Sequence, residues 1–327
     1  MLGMQCWVQA VSIGAALCCA PYLSAFQSLD ASDPTVAIIP RERPRPAAET
    51  EPLLRIDSSL VLVPVHVMNS LGASVTGLQR DTFRLFEDQT EQAISSFYTD
   101  DAPVSIGFLF DTSGSMRSKM KKSAEAAAAF FRTANREDEF FLIEFNDRAR
   151  LTVPFTNESD ELYQQITHTR PTGRTTLMDG IHMALAHMKK ARNPRKAIVI
   201  LSDGGDNWSR HSAREVRAAL LEADVQMYAM GIFDAEMRTA EEKNGPKLLD
   251  ELTELTGGKH YPVEDLEQLP AISERIGREL RSQYLLGYYS TNLNRDGKYR
   301  QVVVKLDQPH AKELHANFRR GYYAPAD

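Results

Sequence analysis

The stretch Val104 to Phe110 is rich in β-branched and aromatic residues, and it ends abruptly in Asp111-Thr112-Ser113-Gly114-Ser115. A strand of this kind, without polar alternation, belongs inside a sheet covered on both faces. Ala124 to Phe131 then reads as helix, so Asp111, Ser113 and Ser115 fall in a strand-to-helix loop. In open α/β sheets that edge is where ligands bind.

Two later segments repeat the arrangement. Lys196 to Leu201 is a second continuous apolar strand and runs directly into Ser202-Asp203-Gly204-Gly205-Asp206, which puts Asp203 at the same edge as Asp111. Between them, Pro171-Thr172-Gly173-Arg174-Thr175-Thr176 is a loop of turn formers and hydroxyls leading into a helical pattern from Leu177. The donors on offer are hydroxyl and carboxylate oxygens, which suit a hard divalent cation. Taken singly, each loop is more simply an N-cap, because Asp, Ser and Thr are ordinary caps. Their recurrence at one sheet edge favours a shared ion, while Asp179 and Asp206 are adequately explained as caps.

With these loops the chain resembles the von Willebrand factor type A domain and its metal-ion-dependent adhesion site. Asp111-Thr112-Ser113-Gly114-Ser115 matches the first loop, Thr175 the second, and Leu201-Ser202-Asp203-Gly204 the third. The resemblance implies a metal site of Asp111, Ser113, Ser115, Thr175 and Asp203, with hydroxyls as direct ligands and the aspartates acting directly or through water. It implies Mg²⁺, with Mn²⁺ or Ca²⁺ as substitutes, and a protein partner whose Asp or Glu carboxylate completes the coordination. Where the family often carries Gly-Gly-Thr, this chain has Gly173-Arg174-Thr175, and Thr176 is an alternative to Thr175. The wider arrangement is similar to bacterial von Willebrand factor A-related proteins known mainly from acidobacterial genomes.

Catalytic motifs are sparse. Ser118-Lys119-Met120-Lys121 matches SxxK, but the companion SDN and KTG motifs are missing. His182 and His187 stand at i and i+5, on different helix faces, and there is no HExxH, GxSxG or phosphate-binding loop. The expectation is therefore a non-enzymatic binding module. Metal-assisted hydrolysis is the first alternative and would need a base beside the ion; an envelope scaffold with an unused site is the second. A formal charge of −6 argues against nucleic acid as the partner, and nothing in the sequence specifies an oligomeric state.

The 327 residues suit about two domains. Residues 1–25 read as a signal peptide: Trp7 to Ala20 is apolar with small residues, and all three cysteines, Cys6, Cys18 and Cys19, precede Pro21. No Lys or Arg occurs before Arg41, so a retained membrane anchor is the alternative. Residues 26–54 read as a proline-rich linker. These segments point to a secreted, periplasmic or cell-envelope protein.

Residues 55–100 read as β structure, with Val61, Val63, Val65 and Val67 facing a core and His66 facing outward. Short strands are expected near Val75, Phe83 to Phe86 and Ala93 to Tyr98, and Glu87-Asp88-Gln89 lacks the glycine of a tight turn. Residues 283–327 are also β-like, and Asp296-Gly297 suggests a hairpin between Tyr284–Tyr289 and Tyr299–Leu306. The predicted fold is α/β: a doubly wound, mostly parallel, Rossmann-like sheet over 101–282, inserted in or flanked by a small β-sandwich built from the two outer segments. Strands are expected over Phe140–Phe145 and Val225–Ile232. Helices are expected over Ser123–Ala134, Leu177–Ala191, Ala213–Ala223, Leu248–Leu255 and Leu266–Leu280.

Overall fold

The computed structural model describes residues 60–99, 102–233, 240–307 and 313–326. The predicted leader and linker lie outside them. The first alternating valine run forms β1 (Leu60–Asn69), followed by β2 (Phe83–Glu87), β3 (Thr90–Gln92) and β4 (Ile94–Tyr98). Val75 forms no strand; its N–H donates to Val67 O beside an isolated bridge. The β2–β3 hairpin turns through Asp88 and Gln89, both at positive φ (44° and 70°) without glycine. That conformation is disfavoured for side-chain-bearing residues, Asx types being the best tolerated. Asp88 is held by an N–H···O bond to Gln301 O and by Gln301 N–H donating to its carboxylate.

The middle of the chain alternates strand and helix. It comprises β5 (Val104–Asp111), α1 (Met120–Phe131), β6 (Glu139–Phe145), β7 (Ala149–Thr156), α2 (Ser159–His168), α3 (Leu177–Met188) and β8 (Arg195–Ser202). There follow α4 (Ala213–Glu222), β9 (Gln226–Ile232), α5 (Ala240–Leu255), β10 (His260–Val263) and α6 (Leu269–Arg281). The sheet order is β10-β9-β8-β5-β6-β7, parallel except for edge strand β7. On one face, Phe108 and Phe110 pack with Phe130 and Phe131 of α1, Leu162 of α2 and Ile276 of α6. On the other, Leu109 and Ile143 pack with Ile181 of α3, Val216 of α4 and Leu252 of α5. Each such buried side chain contributes about 1.5–3 kcal/mol relative to exposure. Gly107 lets the sheet and Phe141 close up, because a Cβ there would lie 2.3 Å from the Phe141 ring.

The sheet has one topological switch. From β5 the chain winds outward to β6 and β7, then returns to β8 on the opposite side of β5 and continues to β9 and β10. The connections leaving β5 and β8 therefore diverge, opening a crevice at their carboxyl ends.

The outer segments come together as two four-stranded sheets, completed by β11 (Gln283–Tyr289), β12 (Tyr299–Leu306), β13 (Leu314–Phe318) and β14 (Gly321–Tyr323). Their orders are β13-β1-β11-β4 and β14-β12-β2-β3. Val61, Val63, Val65 and Val67 share a core with Phe83, Leu85, Tyr284, Leu286, Tyr288, Val302 and Val304. One amphipathic face from each end of the sequence thus covers the other.

Two further local expectations need correction, and two elements were unforeseen. His66 does not face outward: it is 1% exposed, because α6 packs over that face of β1 and brings Glu279 to 3.9 Å from its ring. Asp296-Gly297 does not close a hairpin, since β11 and β12 belong to different sheets. The connection between them crosses the sandwich, with Arg300 donating to Asn292 O and Asn294 O. β7 and α2 were also not expected. Edge strand β7 carries only Val153 into the core, and α2 buries only Leu162 and Ile166, so neither has a strong apolar period.

Candidate metal centre

All five sequence-predicted residues lie at the crevice between β5 and β8. Asp111 is the last residue of β5 and is fully buried. Its Oδ1 accepts the Ser113 N–H at 2.9 Å, and its Oδ2 accepts the Ser202 hydroxyl at 2.6 Å. A single 3₁₀ turn, Gly114–Met116, follows and directs Ser115 back toward Ser113, their hydroxyls 3.0 Å apart. Ser113 is buried while Ser115 is exposed, so the pair runs from the floor of the crevice to solvent.

The second loop is tied to the first through the backbone. Thr172 N–H donates to Thr112 O and Gly114 N–H donates to Gly173 O, at 2.9 and 3.0 Å. Gly173 sits at φ +80°, with the Asp147 carboxylate where a Cβ would project, and Asp147 accepts the Arg174 N–H. The third loop closes on the second: Asn207 and Trp208 N–H groups both donate to Thr175 O, and the Asn207 side chain accepts the Thr175 N–H. Thr175 is 4% and Asp203 6% exposed. Thr176, the alternative ligand, precedes α3 and has a buried hydroxyl with no hydrogen-bond partner.

Asp179 and Asp206 act as caps. Asp206 accepts the Leu177 N–H and the Ser209 hydroxyl, while Asp179 accepts the N–H groups of Arg210 and His211 and contacts His211 Nδ1. These bonds fasten the third loop to the start of α3. His182 stacks on His211, ring centroids 3.8 Å apart, and His187 packs against Phe141 and Phe155. Lys119 of the SxxK match is buried, its ammonium donating to Ile232 O.

The electrostatics are unfavourable for the protein alone. Burial, and then the neighbouring Asp203 charge, push the Asp111 carboxyl up to about 7 despite its hydrogen bonds from Ser113 and Ser202. No lysine or arginine makes an ion pair with either aspartate among the described residues. Two close carboxylates, three hydroxyls and an orphaned threonine oxygen form an all-oxygen donor set with surplus negative charge. That fits a hard dication, with Asp111, Ser113, Ser115, Thr175 and Asp203 as the holding residues.

Sequence reasoning missed the roles of Ser202, Asn207 and Arg174. Ser202 was visible only as a hydroxyl next to Asp203, and nothing local pointed it at Asp111. Arg174 places its guanidinium 3.6 Å over the Trp208 ring, a contact joining the second and third loops.

A doubly wound α/β domain with a cluster of carboxylate and hydroxyl oxygens at its switch point is the class that this fold and site define. Residues 106–205 match the family model of the von Willebrand factor type A domain, and the chain contains such a domain. A curated protein of Borreliella burgdorferi, described as uncharacterised, is 24% identical over 168 residues, covering 46% of this chain. The chain spans about half the length of that relative, 49%. Among solved structures, a von Willebrand factor type A protein from Catenulispora acidiphila is 12% identical, covering 83% of this chain and 75% of its own, with a TM-score of 0.48. The vWF domain of the type V pili tip protein Mfa5 from Porphyromonas gingivalis is 11% identical, covering 54% and 95%, with a TM-score of 0.45. Proximal thread matrix protein 1 from the mussel byssus, with a zinc-occupied MIDAS motif, is 18% identical, covering 59% and 49%, with a TM-score of 0.46.

Proposed function

We propose that this chain is an exported, non-enzymatic binding module that captures a protein partner through a divalent cation, Mg²⁺ in the first instance. The observation carrying this reading is the fully buried Asp111 carboxyl, raised by burial and by the neighbouring Asp203, with no lysine or arginine in an ion pair with either aspartate among the described residues. A bound dication supplies a Lewis-acidic position at which a partner's Asp or Glu carboxylate replaces water. The chain's own residues do the remainder. Ser202 and the Ser113 N–H orient Asp111, the Thr175 backbone is locked by Asn207 and Trp208, and exposed Ser115 borders solvent.

Binding is favoured over hydrolysis by the donor chemistry. Among the described residues no group of three His, Cys, Asp or Glu surrounds a common point, and the nearby His211 is committed to Asp179. Export is supported by the apolar segment Trp7 to Ala20. Calorimetric titration of the full chain with Mg²⁺ and Mn²⁺ tests the reading. Saturable binding lost in Asp111→Ala and in Asp203→Ala is expected, and an inert wild type refutes it.

A further inference from the structure

The rim of the cation site carries a charge pattern opposite to that of the chain as a whole. The molecule is formally −6, yet the loops at the carboxyl edge of the sheet expose Arg117, Arg148, Arg170, Arg174 and Arg210. Within the four loops that carry these arginines, the one exposed carboxylate among the described residues is Asp147, whose Oδ1 takes the Arg174 N–H, while Glu264 and Asp265 are exposed farther along the same edge, after β10. None of the five arginines makes an ion pair with a described residue. The loops that carry them are joined directly, by Thr112 N–H to Phe145 O, Thr172 N–H to Thr112 O, Gly114 N–H to Gly173 O, and Asn207 and Trp208 N–H to Thr175 O. The loops that carry the arginines therefore meet at the crevice.

Arg174 is the organised member of the set. It occupies the position next to Thr175, and its guanidinium carbon stands over the Trp208 ring, 3.6 Å from the centroid, with Trp208 itself 54% exposed. Stacking uses the face of the guanidinium and leaves the N–H edges free for a carboxylate. A planar fork held in this way binds carboxylate with less ordering cost than a loose side chain.

Resting on the proposed metal-dependent capture of a carboxylate, we infer that the partner is an acidic protein segment with several carboxylates. One reaches the cation, a second pairs with Arg174 on its Trp208 platform, and further ones lie on the surrounding arginines. The arginines come from four separate loops that meet at the crevice. They suit a short, flexible acidic segment better than the evenly spaced phosphates of a polyanion. The Trp208 ring adds an apolar face for the stems of acidic side chains.

The test uses the full chain at saturating Mg²⁺ and three probes: a pentaglutamate peptide, a glycine-spaced peptide with one glutamate, and inorganic polyphosphate. Each exposed guanidinium–carboxylate pair is worth about 0.2–1 kcal/mol, or roughly one- to fivefold in affinity, so pentaglutamate, with four further carboxylates, should bind at least about fourfold tighter than the single-glutamate peptide. Arg174→Gln and Trp208→Ala should each reduce that ratio severalfold, and added salt should reduce it further. Equal binding of the two peptides, or a ratio untouched by both substitutions, overturns the inference while a normal Mg²⁺ titration leaves the metal-dependent reading standing. Polyphosphate binding as tightly as pentaglutamate also overturns it, as would a general polyanion surface. If the wild type takes no Mg²⁺, both readings fail together, and the metal titration alone identifies that case.

Discussion

The Ser202 hydroxyl donates to Asp111 Oδ2 at 2.6 Å, so the residue ending β8 holds the carboxylate ending β5 across the switch point of the sheet. The bond is buried at both ends, and Ser202 Oγ in turn accepts the Gly204 N–H. One side chain thereby sets both the first and the third loop.

That relationship makes Ser202 a positioning residue for the site. Ser202→Ala should weaken Mg²⁺ binding by about 10- to 100-fold, the usual effect of losing an outer hydrogen bond on a ligand. The fold should survive, because a single neutral-to-charged hydrogen bond contributes about 1.5–3 kcal/mol. Calorimetry with Mg²⁺ alongside circular dichroism checks both points, and unchanged affinity would remove Ser202 from the site.

Asp111 opposes folding when no cation is present. Its carboxyl is raised above the ordinary value of 3.8, so metal-free protein loses stability as pH climbs from about 4 toward 7, where the buried group ionises. Asp111→Asn should raise the melting temperature of chelator-treated protein at pH 7.5 and abolish stabilisation by Mg²⁺. For the wild type, Mg²⁺ at 100 times its dissociation constant should add about 2.7 kcal/mol. Thermal denaturation with and without chelator distinguishes these outcomes.

Two buried histidines give an acid-sensitive contribution of the opposite sign. Burial holds His66 and His260 below the ordinary 6.5, outweighing the pull of Glu279 and Asp250. The unfolded chain then binds more protons once the pH drops below about 6.5. Their contribution is complete above that value and is lost as pH falls toward the lower folded-state values, by at most about 1.4 kcal/mol per pH unit for each group. In an Asp111→Asn background, urea unfolding at pH 7.5 and 5.5 should show lower stability at 5.5. His66→Gln should shrink the difference.

Gly173 is irreplaceable on steric grounds. At φ +80° any side chain is strained, and a Cβ would come within 2.5 Å of the Asp147 carboxylate. Gly173→Ala should displace the Arg174 N–H···Asp147 contact and with it Thr175. The expected result is a loss of Mg²⁺ affinity larger than the loss of global stability, the latter about 1–2 kcal/mol.

Much of the central sheet was legible in the sequence because its evidence is local. Val104 to Phe110 and Lys196 to Leu201 announce strands buried on both faces, and each ends in the residues that form the site. The weakly amphipathic elements β7 and α2 were not legible, since they bury only one or two apolar residues each. The buried state of His66 was equally hidden: strict alternation assigns it to the outer face of β1, and only the packing of α6 turns that face into an interior.

By itself the sequence determined which residues offer oxygen donors, that they follow apolar strands, and that both outer segments carry one core-forming face. Those properties depend on residue type and spacing along the chain. Tertiary structure alone decided that Ser202 reaches Asp111, that Arg174 lies on Trp208, and that Glu279 of α6 comes up against His66. Each of these contacts joins positions far apart in sequence, and their geometry is set by strand order and loop closure, which no local pattern encodes.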